Sequence, residues 1–484
     1  MATLTPILNA IRREGLLVSG PTGDLPLTGI SDDSRTILPG MLYVAVRGTQ
    51  TDGHRFIPDA VRRGAAAIVV ETPQGSGRPE IQVTDSRRAA MLAARTWFGD
   101  PASRLMLVAV TGTNGKTTTT VLAAHLFNAG GTAASIGTLG AFDGAGEPVS
   151  STAGTLTTPG PVDLQATLAA LVARGVTHVA MEASSHSLDQ GRLDDLRFAA
   201  GIFTNLTRDH LDYHRSMEAY LAAKLRLSGL LAGGGIEIVN ADDSAWSAMP
   251  PRAGRVTYGT APHADLRASE IQLDSAGSSF RMAGRWGSGA VRLPLLGDYN
   301  ISNALGAAAA ALALGHSWAE VTGRLAHAPQ VPGRMELLSE RPCVILRDYA
   351  HTPDALQRAL QTLRPLTRGR LIVVFGCGGD RDRGKRPVMG RIAAELGDVP
   401  VLTSDNPRTE DPEAIIDEVE AGMGGKPHHR NADRRRAIEQ AVALARPGDT
   451  LLLAGKGHET YQVVGTEKLP FDERQIIADL GAAG

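Results

Sequence analysis

The sequence is poor in cysteine and in net charge. Only two cysteines, Cys343 and Cys377, occur among the 484 residues, and they lie far apart in the chain. This usage is typical of a reducing compartment, so we expect both thiols to be reduced. The formal net charge is only −2. A nearly neutral chain lacks the positive electrostatic potential that binds a polyanion, so no nucleic acid is expected as a partner.

Long hydrophobic runs are also missing. The most apolar stretch, residues 304–314, is alanine-rich and much shorter than the roughly 20 apolar residues that span a bilayer. A packed helix explains it better. Residues 1–12 do not combine a charged segment, an apolar core and a cleavage site, as a secretory signal would. We therefore expect a cytoplasmic protein without membrane insertion, and a monomer.

The length and composition predict a compact chain of several domains. Apolar residues make up 43% and charged residues 21%, as in soluble globular proteins. A chain of 484 residues exceeds what one hydrophobic core supports. Changes in pattern near Pro101 and Pro332 predict three domains, over residues 1–101, 102–332 and 333–484.

The predicted fold class is α/β in all three domains. The first domain has short apolar runs at 42–46 and 67–70, and reads as a small α/β module. The central domain begins with a strand, a glycine-rich turn and a helix, and predicts a parallel sheet of P-loop type. A third set of strands predicts a Rossmann-like C-terminal domain. The predicted central strands are 105–110, 176–181, 201–204 and 236–240, and the C-terminal strands are 344–346, 371–375, 399–403 and 450–453.

A glycine-rich segment between the first central strand and its helix predicts a phosphate-binding loop. Its residues are Gly112, Thr113, Asn114, Gly115, Lys116 and Thr117. Glycines let backbone N–H groups approach phosphate, Lys116 reaches the β- and γ-phosphates, and the Thr117 hydroxyl suits Mg²⁺. Val110 stands where the strict motif has glycine, so the loop is a shortened variant. ATP binding is favoured over an ordinary glycine turn with an exposed lysine.

Two further side chains follow predicted strand ends and favour a magnesium site. Glu182 and His210 lie in polar segments that should reach the same edge of the sheet. A carboxylate that accepts a phosphoryl group needs its charge neutralised, so both residues are candidate ligands of Mg²⁺. Lys224, by contrast, reads from its neighbours as an exposed helix lysine. The run 434–436, three arginines, reads as a solvated helix face.

Several motifs together resemble the Mur ligase family, in its tripeptide synthetase branch, over nearly the whole chain. They comprise the phosphate loop and the segments 182–186, 204–210, 297–303, 348–351 and 376–381. The resemblance implies an ATP-dependent, ADP-forming ligase of peptidoglycan biosynthesis that extends a UDP-N-acetylmuramoyl dipeptide. It also implies that Lys224 is carbamylated and binds Mg²⁺ together with Thr117, Glu182 and His210, and that Lys116, Glu182, His210 and Lys224 are catalytic.

The resemblance also assigns the substrate contacts. For ATP it implies the phosphate loop with Thr118, and Asn300, Asn303, Arg334 and Asp348. For the UDP-muramoyl dipeptide it implies Ser34, Thr49, Gln50, Thr51, Thr157, Thr158, Ser184, Gln190 and Arg192. For the amino acid it implies Arg386, Asp405, Asn406, Pro407, Arg408, Gly455 and Glu459.

The identity of the added amino acid rests mainly on Arg408. Arginine forks onto carboxylates, whereas Glu459 suits an ammonium group. Meso-diaminopimelate carries both groups at its distal end, so it is favoured over L-lysine and L-ornithine, which stay open. Two other hypotheses are a folylpolyglutamate synthetase-like ligase and, from another class, a nucleotide-gated switch without turnover.

Overall fold

The computed structural model describes residues 2–48, 51–149, 156–274 and 276–481. It divides into two compact units. One comprises residues 1–267, 283–287 and 302–324, and the other comprises residues 268–282, 288–301 and 325–484. The predicted first domain and most of the central one fall in the first unit, and the C-terminal domain falls in the second. The predicted boundaries at 101 and 332 stay predictions.

The N-terminal part of the first unit is a five-stranded sheet in the order β1-β5-β4-β3-β2, parallel except for β1. Its elements are α1 (Leu4–Arg13), β1 (Leu17–Ser19), β2 (Gly29–Ser31), β3 (Met41–Val44), α2 (Ile57–Arg62), β4 (Ala67–Val70), β5 (Glu80–Val83) and α3 (Ser86–Trp97). Strand β4 is buried over its whole length, which explains its continuous apolar run.

The centre of the first unit is a larger, mainly parallel sheet. Its elements are β6 (Met106–Thr111), α4 (Lys116–Phe127), β7 (Ala133–Gly137), β8 (Gly140–Phe142), α5 (Pro161–Ala173), β9 (His178–Glu182), α6 (Ser185–Asp189), β10 (Phe198–Phe203), α7 (Leu211–His214), α8 (Met217–Gly229), β11 (Leu231–Asn240) and β12 (Val256–Gly259). Strand β6 lies between β10 and β9, and both pair with it in parallel. The segments after these three strands therefore meet at one edge of the sheet.

The remaining central elements were not predicted individually, except for the alanine-rich helix. They are β13 (Leu266–Asp274), β14 (Gly277–Gly284), β15 (Gly287–Leu293), α9 (Asp298–Ala313) and α10 (Trp318–Leu325). Residues 307–311 of α9 are all buried alanines, so the prediction of a packed helix is confirmed. Among the described residues, the helices are all too short or too polar to cross a membrane.

The C-terminal domain is a six-stranded sheet in the order β16-β17-β21-β18-β19-β20, parallel except for β16. Its elements are β16 (Glu336–Ser339), β17 (Val344–Asp348), α11 (Pro353–Leu363), β18 (Leu371–Phe375), α12 (Lys385–Leu396), β19 (Val399–Thr403), α13 (Pro412–Glu420), β20 (His429–Asn431), α14 (Arg434–Leu444), β21 (Thr450–Ala454), β22 (Tyr461–Val464), β23 (Glu467–Pro470) and α15 (Glu473–Asp479). Strands β22 and β23 form a separate antiparallel hairpin. Cys343 and Cys377 are both buried free cysteines.

Candidate functional site

The phosphate-binding loop joins β6 to the N-terminus of α4. Gly112 has a φ of +143° and Gly115 a φ of +82°, a region that side chains disfavour. A Cβ on Gly112 would lie 1.9 Å from Thr204 Oγ1, and a Cβ on Gly115 would lie 2.2 Å from Asn303 Oδ1. Only glycine fits at either position. The loop therefore brings backbone N–H groups and a helix N-terminus to one place, as a phosphate site requires.

Residues after β10 brace this loop. The Thr204 hydroxyl donates to the carbonyl oxygen of Asn114 at 2.7 Å, and the Asn114 N–H donates to Asn205 Oδ1 at 2.9 Å. Lys116 folds back over the loop, where its Nζ donates to the carbonyl oxygens of Gly112 at 3.0 Å and Thr113 at 2.7 Å. Thr204 and Asn205, in the segment 204–210 that carries part of the family resemblance, thus have a structural role: they fix the loop from the neighbouring strand.

Lys224 is buried, so its sequence-based reading as an exposed helix lysine is wrong. Its Nζ donates to the Gly112 carbonyl oxygen at 2.6 Å and lies 4.3 Å from the centre of the Tyr220 ring. Among the described residues no carboxylate lies within 4.0 Å of this amine. Burial, and then the charge of Lys116, lower the pKa of Lys224 well below its usual value. An unpaired buried cation is costly, so the site suits a modified or neutral lysine.

Glu182 ends β9 with its side chain held in place. Its Oε1 accepts from the Thr138 N–H at 2.8 Å and its Oε2 accepts from the Thr138 hydroxyl at 3.2 Å. Glu182 is buried and lines one small cavity together with Thr117 and Gly137. A carboxylate and a hydroxyl oxygen at one cavity are the donor types that Mg²⁺ prefers, so these residues fit the ion that the family resemblance implies.

His210 precedes α7 with a left-handed backbone, at a φ of +54°. Its ring lies edge-on to His186, with 4.9 Å between the ring centres, and 6.2 Å from the ring of Tyr220. Burial lowers the pKa of His210, and burial with the neighbouring His210 lowers the pKa of His186 to about 4. In the described part of the chain no three His, Cys, Asp or Glu side chains converge as metal ligands. Metal binding by His210 stays a prediction.

The predicted dipeptide contacts form one network beside β9. The Thr158 hydroxyl donates to the Glu182 carbonyl oxygen at 2.8 Å, and Arg192 Nη1 donates to the Thr158 carbonyl oxygen at 3.0 Å. Arg192 also donates to Gln190 Oε1, at 2.6 Å from Nη2. Ser184 caps α6 by accepting from the Ser187 N–H. The network ties these residues to the strand that carries Glu182.

The other predicted contacts of the first unit are more scattered. Thr157 accepts from the Thr138 hydroxyl at 3.3 Å, close to Glu182. Ser34 is buried and donates to Asp59 Oδ2 at 3.3 Å, whereas Thr51 is exposed. Thr49 and Gln50 lie outside the described residues. Thr118 and Asn303 are buried beside the loop, where the Thr119 hydroxyl donates to Asn303 Oδ1 at 3.3 Å.

The predicted nucleotide contacts of the second unit have defined partners there. Asp348 Oδ2 accepts from the Met335 N–H at 2.8 Å, and burial raises the pKa of Asp348 to about 6. The Arg334 guanidinium stacks 4.7 Å from the centre of the Tyr349 ring. Asn300 donates to the Leu296 carbonyl oxygen at 2.8 Å. Contact of these residues with nucleotide stays a prediction.

The predicted amino-acid segment follows β19 and is fixed by the β22–β23 hairpin. Arg408 has a φ of +52°; its N–H donates to the Val463 carbonyl oxygen at 3.1 Å, and its own carbonyl oxygen accepts from the Gly465 N–H at 2.7 Å. Its side chain is partly exposed, and Nη1 donates to the Gly379 carbonyl oxygen at 2.7 Å. Glu459 Oε2 accepts from Asn406 Nδ2 at 2.9 Å.

Two buried arginines pair with carboxylates of the chain. The Arg386 side chain is fully buried and pairs with Glu410 at 2.8 Å and Glu418 at 2.9 Å, so both of its charge partners lie within the chain. Its predicted contact with a bound amino acid stays a prediction. Arg434 was predicted on a solvated face together with 435 and 436, and this is wrong for Arg434. It is fully buried and pairs with Glu473 at 2.7 Å.

Three residues that contact predicted site residues within their own units were missed. Thr138 holds Glu182 with two hydrogen bonds, and Tyr220 lies under Lys224. Neither residue lies in a sequence motif that would have identified it as part of the site. Lys456 is buried and donates to Asn406 Oδ1 at 3.0 Å. The sequence could have marked Lys456 as a candidate, since it lies between two glycines directly after a strand.

Comparisons with known proteins cover most of the chain. Models described as "Mur ligase family, catalytic domain", "Mur ligase middle domain" and "Mur ligase, glutamate ligase domain" match residues 26–104, 110–311 and 333–457. A protein of Gloeobacter violaceus named "UDP-N-acetylmuramoyl-L-alanyl-D-glutamate--2,6-diaminopimelate ligase" is 44% identical over 459 residues, which is 93% of each chain.

Two solved structures place the fold. A structure titled with the same ligase name is 35% identical, with a TM-score of 0.66 and 94% of each chain covered. Mycobacterium tuberculosis folylpolyglutamate synthase, complexed with ADP and AMPPCP, is 18% identical, with a TM-score of 0.63 over 76% of this chain and 92% of that one. The second likeness is one of fold alone. The three-domain α/β fold predicted from the sequence is confirmed.

Proposed function

The chain belongs to the Mur ligase family, and on that premise we propose that it joins meso-2,6-diaminopimelate to UDP-N-acetylmuramoyl-L-alanyl-D-glutamate at the expense of ATP. The carrying observation is the glycine loop at the start of α4, braced from β10 and facing the strand end that holds Glu182. The name of the Gloeobacter violaceus relative supports the choice of substrates. The predicted cytoplasmic location and monomeric state stay predictions.

The nucleotide end of the reaction follows from the loop. We propose that the backbone N–H groups of the loop and the N-terminus of α4 bind the phosphates of ATP. Lys116, now hydrogen-bonded to two loop carbonyls, would turn to the terminal phosphates. Its charge would offset the negative charge on the phosphoryl group during transfer.

Magnesium would be held beside this loop by Thr117 and Glu182, with His210 and carbamylated Lys224 as further ligands. When bound, the ion offsets the charge of the phosphates and of the acceptor carboxylate. Carbamylation converts Lys224 from a buried cation without a carboxylate partner into an anionic oxygen ligand. This removes the electrostatic cost of the unmodified side chain.

The chemistry proposed for the acceptor proceeds in two steps. The γ-phosphoryl group of ATP passes to the side-chain carboxylate of the D-glutamate, and ADP leaves. This gives an acyl phosphate, because a carboxylate is a poor electrophile and needs a leaving group. The amine of the incoming amino acid then attacks the acyl carbon, and the tetrahedral oxyanion collapses to amide and inorganic phosphate. Arg192 and Thr158, tied together beside Glu182, would position the dipeptide.

The preference for meso-diaminopimelate is assigned to two side chains of the second unit. Arg408 is partly exposed, and among the described residues no carboxylate lies within 4.0 Å of it. It is therefore available for a substrate carboxylate, which L-lysine and L-ornithine lack. Glu459 is oriented by Asn406 and would accept the distal ammonium group.

The test is phosphate release from ATP in the presence of the UDP-muramoyl dipeptide and one amino acid at a time. The panel contains meso-diaminopimelate, L-lysine, L-ornithine and a buffer control, and the product is identified by mass spectrometry. We expect release and a ligated product with meso-diaminopimelate above all. Efficient ligation of L-lysine or L-ornithine would overturn the assigned amino acid. A parallel assay offers a folate and glutamate in place of the dipeptide and the amino acid, and ligation there would favour the folylpolyglutamate reaction. Phosphate release that ignores the amino acid would favour a nucleotide switch.

A further inference from the structure

Lys456 is a buried cation that contacts the predicted amino-acid segment. Its side chain is 0% exposed and follows β21. Nζ lies 3.2 Å from Glu459 Oε2 and 3.6 Å from Asp405 Oδ1, and it donates to Asn406 Oδ1 at 3.0 Å. Removing one partner from a buried ionic group leaves the others uncompensated. Lys456 therefore contacts three residues that the family resemblance assigns to the amino acid: Asp405, Asn406 and Glu459.

The Asn406 amide links Lys456 to Glu459 by hydrogen bonds. Its Oδ1 accepts from Lys456 Nζ and from the Val463 N–H at 2.9 Å. Two donors at the oxygen fix the orientation of the amide, so that Nδ2 points at Glu459 Oε2, 2.9 Å away. Glu459 thus receives two hydrogen bonds on one oxygen, from Asn406 and from Lys456. Its carboxylate is oriented before any ligand binds.

The charges of the segment divide into two parts. Asp405 and Glu459 carry two negative charges, and Lys456 between them leaves a net charge of −1 on this part. Arg408 carries +1, and Nη1 donates to a carbonyl oxygen, that of Gly379. The distal end of meso-diaminopimelate has an ammonium and a carboxylate group and is neutral overall, whereas the distal end of L-lysine is a cation. Without Lys456 the acidic part would carry −2, which favours a cationic end.

We propose that Lys456 is a positioning residue that sets the charge of the amino-acid site, so that the site prefers a zwitterionic distal end to a cationic one. This inference rests on the proposed function and adds a selectivity determinant to it. Lys456 acts through Glu459 and Asn406. Its replacement should therefore change recognition of the amino acid and leave ATP binding unchanged.

The experiment compares Lys456→Met, Lys456→Gln and Lys456→Arg with the wild type. Phosphate release gives kcat and KM for meso-diaminopimelate and for ATP, and L-lysine is measured both as a substrate and as a competitive inhibitor against meso-diaminopimelate. Lys468→Met is the matched control, because Lys468 is an exposed lysine of the neighbouring hairpin that stacks on Tyr461 at 4.2 Å. Thermal unfolding of each variant is recorded alongside.

We expect Lys456→Met and Lys456→Gln to raise KM for meso-diaminopimelate and to shift the preference towards L-lysine by at least about tenfold, with KM for ATP unchanged. Lys456→Arg should retain the preference, because it retains the charge. If Lys456→Met does not fold, Lys456→Gln and Lys456→Arg decide. The double variant Lys456→Met/Glu459→Gln should recover part of the lost stability, because Asp405 is then the one carboxylate partner left without its cation.

Two results would overturn the inference. One is an unchanged preference between the two amino acids in Lys456→Gln. The other is an equal change in KM for ATP and for meso-diaminopimelate, which a merely structural lysine would produce. A wild-type protein that ligates neither amino acid would instead refute the proposed function, so the two failures are distinguishable.

Discussion

Lys224 and Lys116 donate to the same oxygen. The carbonyl of Gly112 accepts from Lys224 Nζ at 2.6 Å and from Lys116 Nζ at 3.0 Å. Two ammonium groups at one carbonyl repel each other, and burial together with the charge of Lys116 lowers the pKa of Lys224. The arrangement is relieved if Lys224 loses its positive charge and Lys116 turns to an anionic ligand.

Activity should therefore depend on dissolved CO₂ through Lys224. Protein depleted of CO₂ should regain phosphate-release activity when bicarbonate is added, and intact-mass spectrometry should show the adduct on Lys224. Lys224→Arg keeps a positive charge but cannot form a carbamate, so we expect it to lose at least about 10²-fold in kcat. Lys468→Arg, at an exposed position, is the control. A fully active Lys224→Arg protein would remove the basis for carbamylation.

Arg408→Ala should affect the amino acid far more than the nucleotide. Loss of a charge-assisted, forked contact predicts a rise in KM for meso-diaminopimelate of about 10- to 100-fold, with little change in KM for ATP. Arg408→Lys should recover only part of this, because an ammonium group cannot fork onto a carboxylate. Arg391→Ala, at an exposed position on α12, should behave as wild type. Equal effects on both substrates would refute the assigned role of Arg408.

Gly115→Ala tests the shape of the phosphate loop. The substitution adds a Cβ at a left-handed φ and brings it within 2.2 Å of Asn303 Oδ1. We expect ATP affinity, measured by calorimetry, to fall strongly. The free energy of unfolding should fall by more than the roughly 1–2 kcal/mol that the left-handed φ costs, because the contact with Asn303 adds to it. Gly99→Ala is the matched control, since Gly99 has a φ of +72° but no atom within 4 Å of the added Cβ. It should lose only the roughly 1–2 kcal/mol that the left-handed φ costs and bind ATP normally.

Asp348 predicts a pH dependence of stability. Burial raises its folded-state pKa to about 6, above the usual 3.8, so the folded protein favours the protonated form. The resulting stabilisation is present below pH 3.8 and is lost as pH rises through 6. Relative to Asp348→Asn, the wild type should lose up to about 3 kcal/mol between pH 4 and 7 in urea denaturation. Asp354→Asn, at an exposed position, is the control and should show the wild-type dependence of stability on pH. The same wild-type dependence in Asp348→Asn would contradict the raised pKa of Asp348.

Local patterns predicted much of the fold and the phosphate loop. The strand at 105–110, the glycine turn and the helix at 118–126 correspond to β6, the loop and α4, because apolar runs and glycines act over a few residues. Strands 371–375 and 399–403 match β18 and β19 at both ends. Strands β12 to β15 were not singled out, since their polar edges lack a continuous apolar run.

Burial of charged side chains was not predictable in the same way. Arg386 pairs with Glu410 and Glu418, and Arg434 pairs with Glu473. In each case the partner lies 24 or more residues away, and only the assembled sheet brings them together. Lys224 was misread for the same reason: the surface that covers it belongs to the phosphate loop, which is distant in the chain.

The attachment of Arg408 to the β22–β23 hairpin runs through its main chain, in both directions. Replacing the side chain leaves those two hydrogen bonds in place. The residue type at position 408 can therefore change without a change in the backbone conformation of the neighbouring residues. The main chain of Arg408 therefore holds the loop in place, while its side chain is left to recognise the substrate. This arrangement would let related enzymes diverge in the amino acid they incorporate through single exchanges, without rebuilding the domain beneath.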